Sequence, residues 1–387
     1  VAERGIATVT DSPIPSRRDF LAGRAVSQAA QAAARAAADK ALAENAAGME
    51  RRPPSYVLHV GRPVMACEFE IMLNAGEHPE GPDAALRALD LADSLESQLT
   101  VYRDTSEVSR LNKQAAREPV LIEKGLFDLL SLATRIGIET DAAFDITSGP
   151  LSKAWGFYRR AGRLPNEEEL AAARERVGHH HLVLDAERQT VAFRRPGVEI
   201  NLGAIGKGYA LDRCAASLTR EGIGNFLIHG GTSSILGRGS RAGLMEGESG
   251  WLVAVRHPLR PDQRLAEVRL RDRALGTSGS ASQFFFHQGR RLGHILDPRT
   301  GWPAEQVLSA TVLAPTAALA DALSTAFYVM GPDGAAAYCA AHPEIGALLI
   351  LPDSRAGATR ITLVNVSDAD CELLDETARV TRTGVVG

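Results

Sequence analysis

Cysteine is scarce: Cys67, Cys214, Cys339 and Cys371 lie far apart in 387 residues, and no two of them form a C-x-x-C pair. That spacing excludes a disulfide framework or a cysteine-bound zinc as the organiser of the fold, and reads the four as buried thiols. Basic charge is not in excess either. With 43 Lys and Arg against 47 Asp and Glu, no surface for nucleic acid is advertised, and no nucleic-acid partner is expected. No apolar run approaches the length that spans a bilayer, so no transmembrane segment is expected; Ala347 to Leu351 illustrates the short runs present. No internal repeat is found. What remains is a globular chain, 45% hydrophobic, able to hold one large or two modest domains.

The N-terminal segment supports two readings. Ser16-Arg17-Arg18-Asp19-Phe20-Leu21 matches the twin-arginine export pattern. Against it, Arg24, Gln28, Arg35, Asp39, Lys40 and Glu44 interrupt the stretch that a signal needs to keep apolar. The alternative is an Ala-rich helical or disordered extension over 1–54, closed by Arg51-Arg52-Pro53-Pro54.

From Ser55 the pattern is that of a folded domain, with the body over 55–352 and a tail over 353–387 that belongs to it or packs on it. Strands are expected around Val57 and Phe69, then helices at about Asp83 to Gln98, with Leu86 and Leu89 on the apolar face, at Ser106 to Asn112 and at Glu123 to Thr140. A charged helix at Glu167 to Arg176 follows. Thr190 to Phe193 and Val198 to Leu202, joined by Pro196-Gly197, read as a hairpin. Short strands at Trp251, Ala266, Ala274, Gln283 and Leu308 precede a helix from Ala317 to Met330. Irregular alternation argues for an α+β fold with antiparallel sheet and packed helices rather than βαβ repeats.

Within this frame, Val198 to Asp212 runs from a strand through Gly203, Gly206 and Gly208 into a helix carrying Lys207. Such a loop can take φ > 0, approach a ligand and offer helix N–H groups to an anion. Its G-x-x-G-x-G spacing fits neither the Walker loop nor the dinucleotide fingerprint. Phosphate binding and a plain tight turn both stay open. Asp321 and Thr325 stand four apart in a helical pattern, so a carboxylate and a hydroxyl share one face where a hard cation such as Mg²⁺ could sit. The apolar surroundings favour a function, since an unpaired buried carboxylate is costly. His294 ends a strand before the Asp297-Pro298 turn, Ala274 to Ser280 supplies small residues and hydroxyls, and Trp155-Gly156-Phe157 supplies aromatic surface. His179-His180-His181 would point to alternate faces of a strand, which argues against a ligand set.

Together these blocks resemble the ApbE family of FAD:protein FMN transferases. The resemblance rests on Tyr102 with Ser106-Glu-Val-Ser-Arg-Leu-Asn112, on Phe144-Asp145-Ile-Thr with Trp155-Gly-Phe, on Asn201 to Ala210, on His294 to Pro303, and on Asp321 to Thr325, in that order. It implies a T-fold-related architecture and an FAD site at Met65, Tyr102, Ala143, Phe144, Asp145, Asn201, Lys207 and Ile295. It also implies Mg²⁺ held by the Ala204 carbonyl, Asp321, Ser324 and Thr325, with FAD as substrate. The implied reaction moves FMN from FAD to a Thr or Ser hydroxyl of an acceptor flavoprotein, such as a subunit of a membrane redox complex, and releases AMP; His294 is the base and Asp321 the metal anchor. The same resemblance implies the cell envelope or periplasm, and the cytoplasm follows if the Arg17-Arg18 segment is not a signal. An FAD pyrophosphatase and a non-catalytic FAD-binding protein are the alternatives. The chain departs from the family pattern at Asn201, often Asp, at Met65-Ala66-Cys67, where Met-Gly-Thr is usual, and at Ser280 to Gln283, where an aromatic is common.

Overall fold

The structure is a computed structural model that describes residues 56–159, 161–279, 283–354, 358–375 and 378–384. The twin-arginine segment, the rest of the extension over 1–54 and the block at 280–282 lie outside the described residues. The elements run β1 Val57–Val64, β2 Cys67–Asn74, α1 Gly81–Leu99, α2 Glu107–Gln114, β3 Val120–Leu121, α3 Lys124–Glu139, α4 Gly149–Ala154, α5 Glu167–Arg174, β4 Leu182–Asp185, β5 Thr190–Phe193 and α6 Gly206–Arg220. The C-terminal half continues with β6 Phe226–Gly230, β7 Ser234–Arg238, β8 Trp251–His257, β9 Arg260–Leu270, β10 Arg273–Gly279, β11 Phe284–His287, β12 Arg290–Gly293, β13 Ser309–Ala314, α7 Ala317–Ala341, β14 Gly346–Pro352, β15 Thr359–Val364, β16 Cys371–Leu373 and β17 Arg379–Thr383.

Nine strands form the main sheet in the order β1-β2-β6-β7-β10-β13-β14-β15-β17, antiparallel throughout except for the parallel β15–β17 pair. Its central strands are apolar on both faces because both are covered. On one face Phe226, Ile228, Val312 and Leu349 meet helices α1, α6 and α7. On the other, Leu227, Leu313, Leu348 and Ile350 join Trp251 and Val268 of the β8–β9–β16 sheet. The fold is therefore α+β with predominantly antiparallel sheet, and among the described residues no helix is long and apolar enough to cross a membrane.

Several sequence expectations are corrected. Val198 to Leu202 is not the second arm of a hairpin: β5 pairs with β3 and β4 instead, while the 198–202 segment makes one bridge, Ser148 to Glu199, and donates Asn201 N–H to the Ile146 carbonyl at 2.7 Å. Its alternation marked burial rather than pairing, since Val198, Ile200 and Leu202 all point into the core. The helix from Ala317 does end at Met330, broken by Gly331 (φ +75°) before Pro332, but it then resumes to Ala341, which the sequence reading left out. Leu86 lies on the exposed side of α1, the three histidines 179–181 form a 3₁₀ turn rather than a strand, and Cys67 is only half-buried. Trp155 gives no surface. It is fully buried with Phe157 and Leu296, and its indole N–H donates to the Gly301 carbonyl at 2.8 Å.

Candidate functional site

A cleft of about 410 Å³ opens where the segments after α1 and α3, the loop before α6, the end of β10, the segment after β12 and the first turns of α7 converge. Its walls carry Tyr102, Ala143, Phe144, Asp145, Asn201, Ala204, Lys207, His294, Ile295, Asp321, Ser324 and Thr325, so every candidate residue except Met65 faces one space. Met65 is not among the residues that line it. It forms, with Ala66, the two-residue turn between β1 and β2, where both residues have positive φ (52° and 59°), and its N–H donates to Glu96 Oε2 at 2.8 Å.

Asp321 is a buried carboxylate of the cleft wall. One carboxylate oxygen accepts from Gly208 N–H and the other from the Ser234 hydroxyl, each at 2.7 Å. Burial pushes its pKa up to about 6, although the Lys207 ammonium and these two donors pull the other way. Lys207 in turn donates to the Ser233 hydroxyl at the β6–β7 turn. One turn beyond Asp321, the Ser324 and Thr325 hydroxyls gather around the Ser278 hydroxyl of β10 at 2.8 and 3.0 Å. These donors are all oxygen, one of them a carboxylate with lone pairs to spare, which suits a hard divalent cation. Among the described residues no three His, Cys, Asp or Glu side chains form a metal-binding group, so a cation here would rest on Asp321 and neutral oxygens.

The glycine loop works differently from its sequence reading. None of Gly203, Gly206 or Gly208 has positive φ. Gly208 is required by packing: a Cβ there would lie 2.1 Å from the Ala317 carbonyl oxygen at the start of α7. The N–H groups at this helix start are also partly spent, since Gly206 N–H donates to the Leu202 carbonyl and Gly208 N–H to Asp321. Asn201 folds the turn from within by accepting from Gly203 N–H at 2.9 Å. Gly276, inside β10, makes a second such seat, because its Cβ would meet the Ala320 carbonyl at 2.4 Å.

Sequence reasoning missed Asp212, although it closes the glycine-loop motif one turn beyond Gly208. Its two carboxylate oxygens accept from Ala317 N–H and Ala318 N–H at 2.8 and 2.9 Å and so cap α7. Asp321 of α7 reciprocates by taking a donor from the first turn of α6. The two helices thus clasp each other through exchanged carboxylates, a relation no local pattern contains. Burial pushes Asp212 up to about 6, above its ordinary value of 3.8, despite the two amides. A raised carboxyl stabilises the fold most below 3.8 and loses that contribution as pH rises through about 6. Asp212→Asn should therefore gain stability relative to the parent between pH 4.5 and 7.5, by on the order of 1–3 kcal/mol in urea unfolding. A difference that does not change with pH would refute the buried charge.

His294 stands in the cleft wall. Its backbone N–H and its Nδ1 both meet the Gln283 carbonyl, at 3.2 and 3.1 Å. A carbonyl only accepts, so Nδ1 carries the proton and Nε2 keeps its lone pair. Burial holds the ring below the usual histidine range, and Phe157 stands edge-on to it. Asp145, by contrast, turns its carboxylate inward: it accepts from Thr147 N–H, the Thr147 hydroxyl and His179 N–H at 2.8, 2.6 and 2.7 Å. That side chain is fully buried within the wall. At the mouth, exposed Tyr102 lies against Tyr158 with ring centroids 4.9 Å apart.

Comparison with known proteins identifies the family. The model of the ApbE family matches residues 65–349. The chain is 32% identical over 265 residues to the FAD:protein FMN transferase of Escherichia coli K12, covering 65% of this chain and 74% of that protein. It is 31% identical over 311 residues to the one from Vibrio cholerae serotype O1, covering 79% and 90%. Among solved structures it resembles the flavin transferase ApbE from Vibrio cholerae (TM-score 0.69, 27% identity, 80% and 97% covered). It also resembles the Pseudomonas stutzeri flavinyl transferase ApbE in its apo form (TM-score 0.70, 26% identity, 81% and 96% covered). With a family match over most of the chain, and with relatives similar in both sequence and fold, the chain belongs to the ApbE family.

Proposed function

We propose that this cleft takes FAD as substrate and transfers its FMN half to a Thr or Ser hydroxyl of an acceptor protein, releasing AMP. As a member of the ApbE family the chain is a flavin transferase, and the family fixes the reaction class. The observation that carries the finer reading is the single cleft holding a neutral imidazole, a buried carboxylate beside hydroxyl oxygens, and a lysine. His294 Nε2 takes the acceptor's hydroxyl proton, and the oxygen forms a bond to the FMN-side phosphorus. The pyrophosphate P–O bond breaks and AMP leaves with its electron pair. Lys207 and the loop at Asn201 to Gly206 orient the phosphates, while Ile295 and the backbone at Ala143 to Asp145 line the cleft beside them. Asp321, Ser324, Thr325 and the Ala204 carbonyl would hold Mg²⁺, which neutralises charge on the phosphate oxygens when bound.

The test incubates the protein with FAD, with or without Mg²⁺, and a Thr-bearing peptide, and follows acceptor mass and AMP. A gain of the FMN moiety, dependent on Mg²⁺, supports transfer; AMP without a mass gain means that water is the acceptor, and neither product means simple binding. Because burial keeps His294 below its ordinary 6.5, the acidic limb of kcat/KM should fall below pH 6.5 and the rate should be level above it. His294→Gln should cut transfer by about 10²–10⁴-fold, and the acidic limb that remains is that of Asp321, whose carboxyl burial raises to about 6. A variant that keeps more than a tenth of the parent rate would remove His294 from the role.

A further inference from the structure

Ser278, the last residue but one of β10, lines the cleft together with Asp321, Ser324 and Thr325. The Gly276 seat brings it there. With no side chain on Gly276, the backbone of β10 lies against that of α7 at Ala320. Two residues along a strand advance about 6.6 Å and return to the same face, and four along a helix advance about 6 Å. Ser278 therefore meets the turn of α7 that carries Ser324 and Thr325, with its Oγ 2.8 and 3.0 Å from their hydroxyl oxygens. A hydroxyl has a single proton to give and lone pairs to accept with. Ser324 Oγ gives its proton to the Asp321 backbone carbonyl at 2.8 Å, an atom that only accepts, so Ser278 is the donor in its contact with Ser324. Thr325 has that carbonyl only at 3.5 Å, and its proton goes to Ser278 instead. The relay runs from Thr325 to Ser278 to Ser324 to the carbonyl. It commits all of these protons inside the wall and leaves lone pairs on Thr325 and Ser324 uncommitted.

We infer that Ser278 is a positioning residue for the cation: it holds the Ser324 and Thr325 hydroxyls so that both offer lone pairs, and it is not itself a ligand. The inference rests on the reading that a hard divalent cation sits at Asp321, Ser324 and Thr325. A hydroxyl oxygen serves such a cation only through a lone pair, with its proton directed elsewhere. On a helix face with no neighbour, a Ser or Thr side chain turns between staggered rotamers and sends its proton to water or to its own turn. Here the strand opposite fixes one arrangement. Ser278→Ala would leave Thr325 with only the 3.5 Å carbonyl, free to turn its proton toward the cleft, and would take from Ser324 the donor that fixes its oxygen. The substitution weakens the cation site from behind while every ligand stays in the chain.

The test titrates Mn²⁺, an ion that takes the same oxygen ligands as Mg²⁺ and is read directly by EPR, into the full chain without FAD. Ser278→Ala should weaken Mn²⁺ binding by at least about tenfold, while the melting temperature and the affinity for FAD without added cation, read by flavin fluorescence, stay those of the parent. A second series shows whether Ser278 acts through its neighbours. In a chain already carrying Ser324→Ala and Thr325→Val, adding Ser278→Ala should change the remaining Mn²⁺ affinity by less than about twofold. The inference is overturned if Ser278→Ala binds Mn²⁺ as the parent does. It is also overturned if the loss is as large in the doubly substituted chain, which would make Ser278 a ligand, or if melting temperature or FAD affinity falls with it, which would make it a packing residue. A parent chain that takes up no Mn²⁺ overturns the cation reading, and the inference with it.

Discussion

Asp321→Ala abolishes transfer, with kcat lowered by at least about 10³-fold, because it removes the one carboxylate that the cleft offers to a cation. Its effect is not purely chemical. The Gly208 N–H and the Ser234 hydroxyl would both be left buried without their acceptor, at roughly 1–3 kcal/mol each. Asp321→Asn separates the two effects. It preserves the volume and one acceptor oxygen, and it removes the cost of a desolvated charge, so thermal stability should stay close to that of the parent while transfer is lost. Acceptor mass in a single turnover, beside a melting curve, reads both. An Asn variant that keeps more than a tenth of the parent rate, with its Mg²⁺ dependence intact, would exclude Asp321 as the anchor.

Gly208→Ala should be the most damaging substitution outside the ionisable groups. The added methyl would lie 2.1 Å from the Ala317 oxygen, 2.3 Å from its carbon and 2.6 Å from Ala318 N, all backbone atoms that cannot rotate away. Relief requires α6 and α7 to separate, which loosens the Asp212 and Asp321 clasp together. The cost lies at or above the top of the roughly 1–3 kcal/mol typical of overpacking, enough to lower the Tm by many degrees and to weaken FAD binding. Gly206→Ala is the control, since its nearest neighbour would be 3.8 Å away. Equal melting temperatures for the two variants would show that the helices part easily and that Gly208 serves some other need.

Much of the secondary structure could be read locally. Ser106 accepts from Ser109 N–H and starts α2 as its pattern announces, and Leu126, Leu129, Leu130 and Ile136 bury one face of α3. Such features depend on a few neighbouring residues, whose period or cap chemistry survives any context. The hairpin assigned to Val198–Leu202 failed for the opposite reason. An alternating strand pattern records only which side chains are buried, and there the core rather than a neighbouring strand takes up the alternation.

The functional site divides along the same line. Read beside the family pattern, residue types and motif order marked many of the residues that line the cleft, because an imidazole, a carboxylate next to hydroxyls and a lysine in a glycine-rich turn are chemical identities carried by the chain itself. Their placement was not in the chain. That Gly208 must lack a Cβ for the sake of Ala317, that Asp212 and Asp321 each cap the other's helix and that His179 N–H helps hold the Asp145 carboxylate inward are relations between segments tens to hundreds of residues apart. Only the packed sheet and helices bring those atoms within 3 Å of each other, and hydrogen bonds and steric contacts act only at that range.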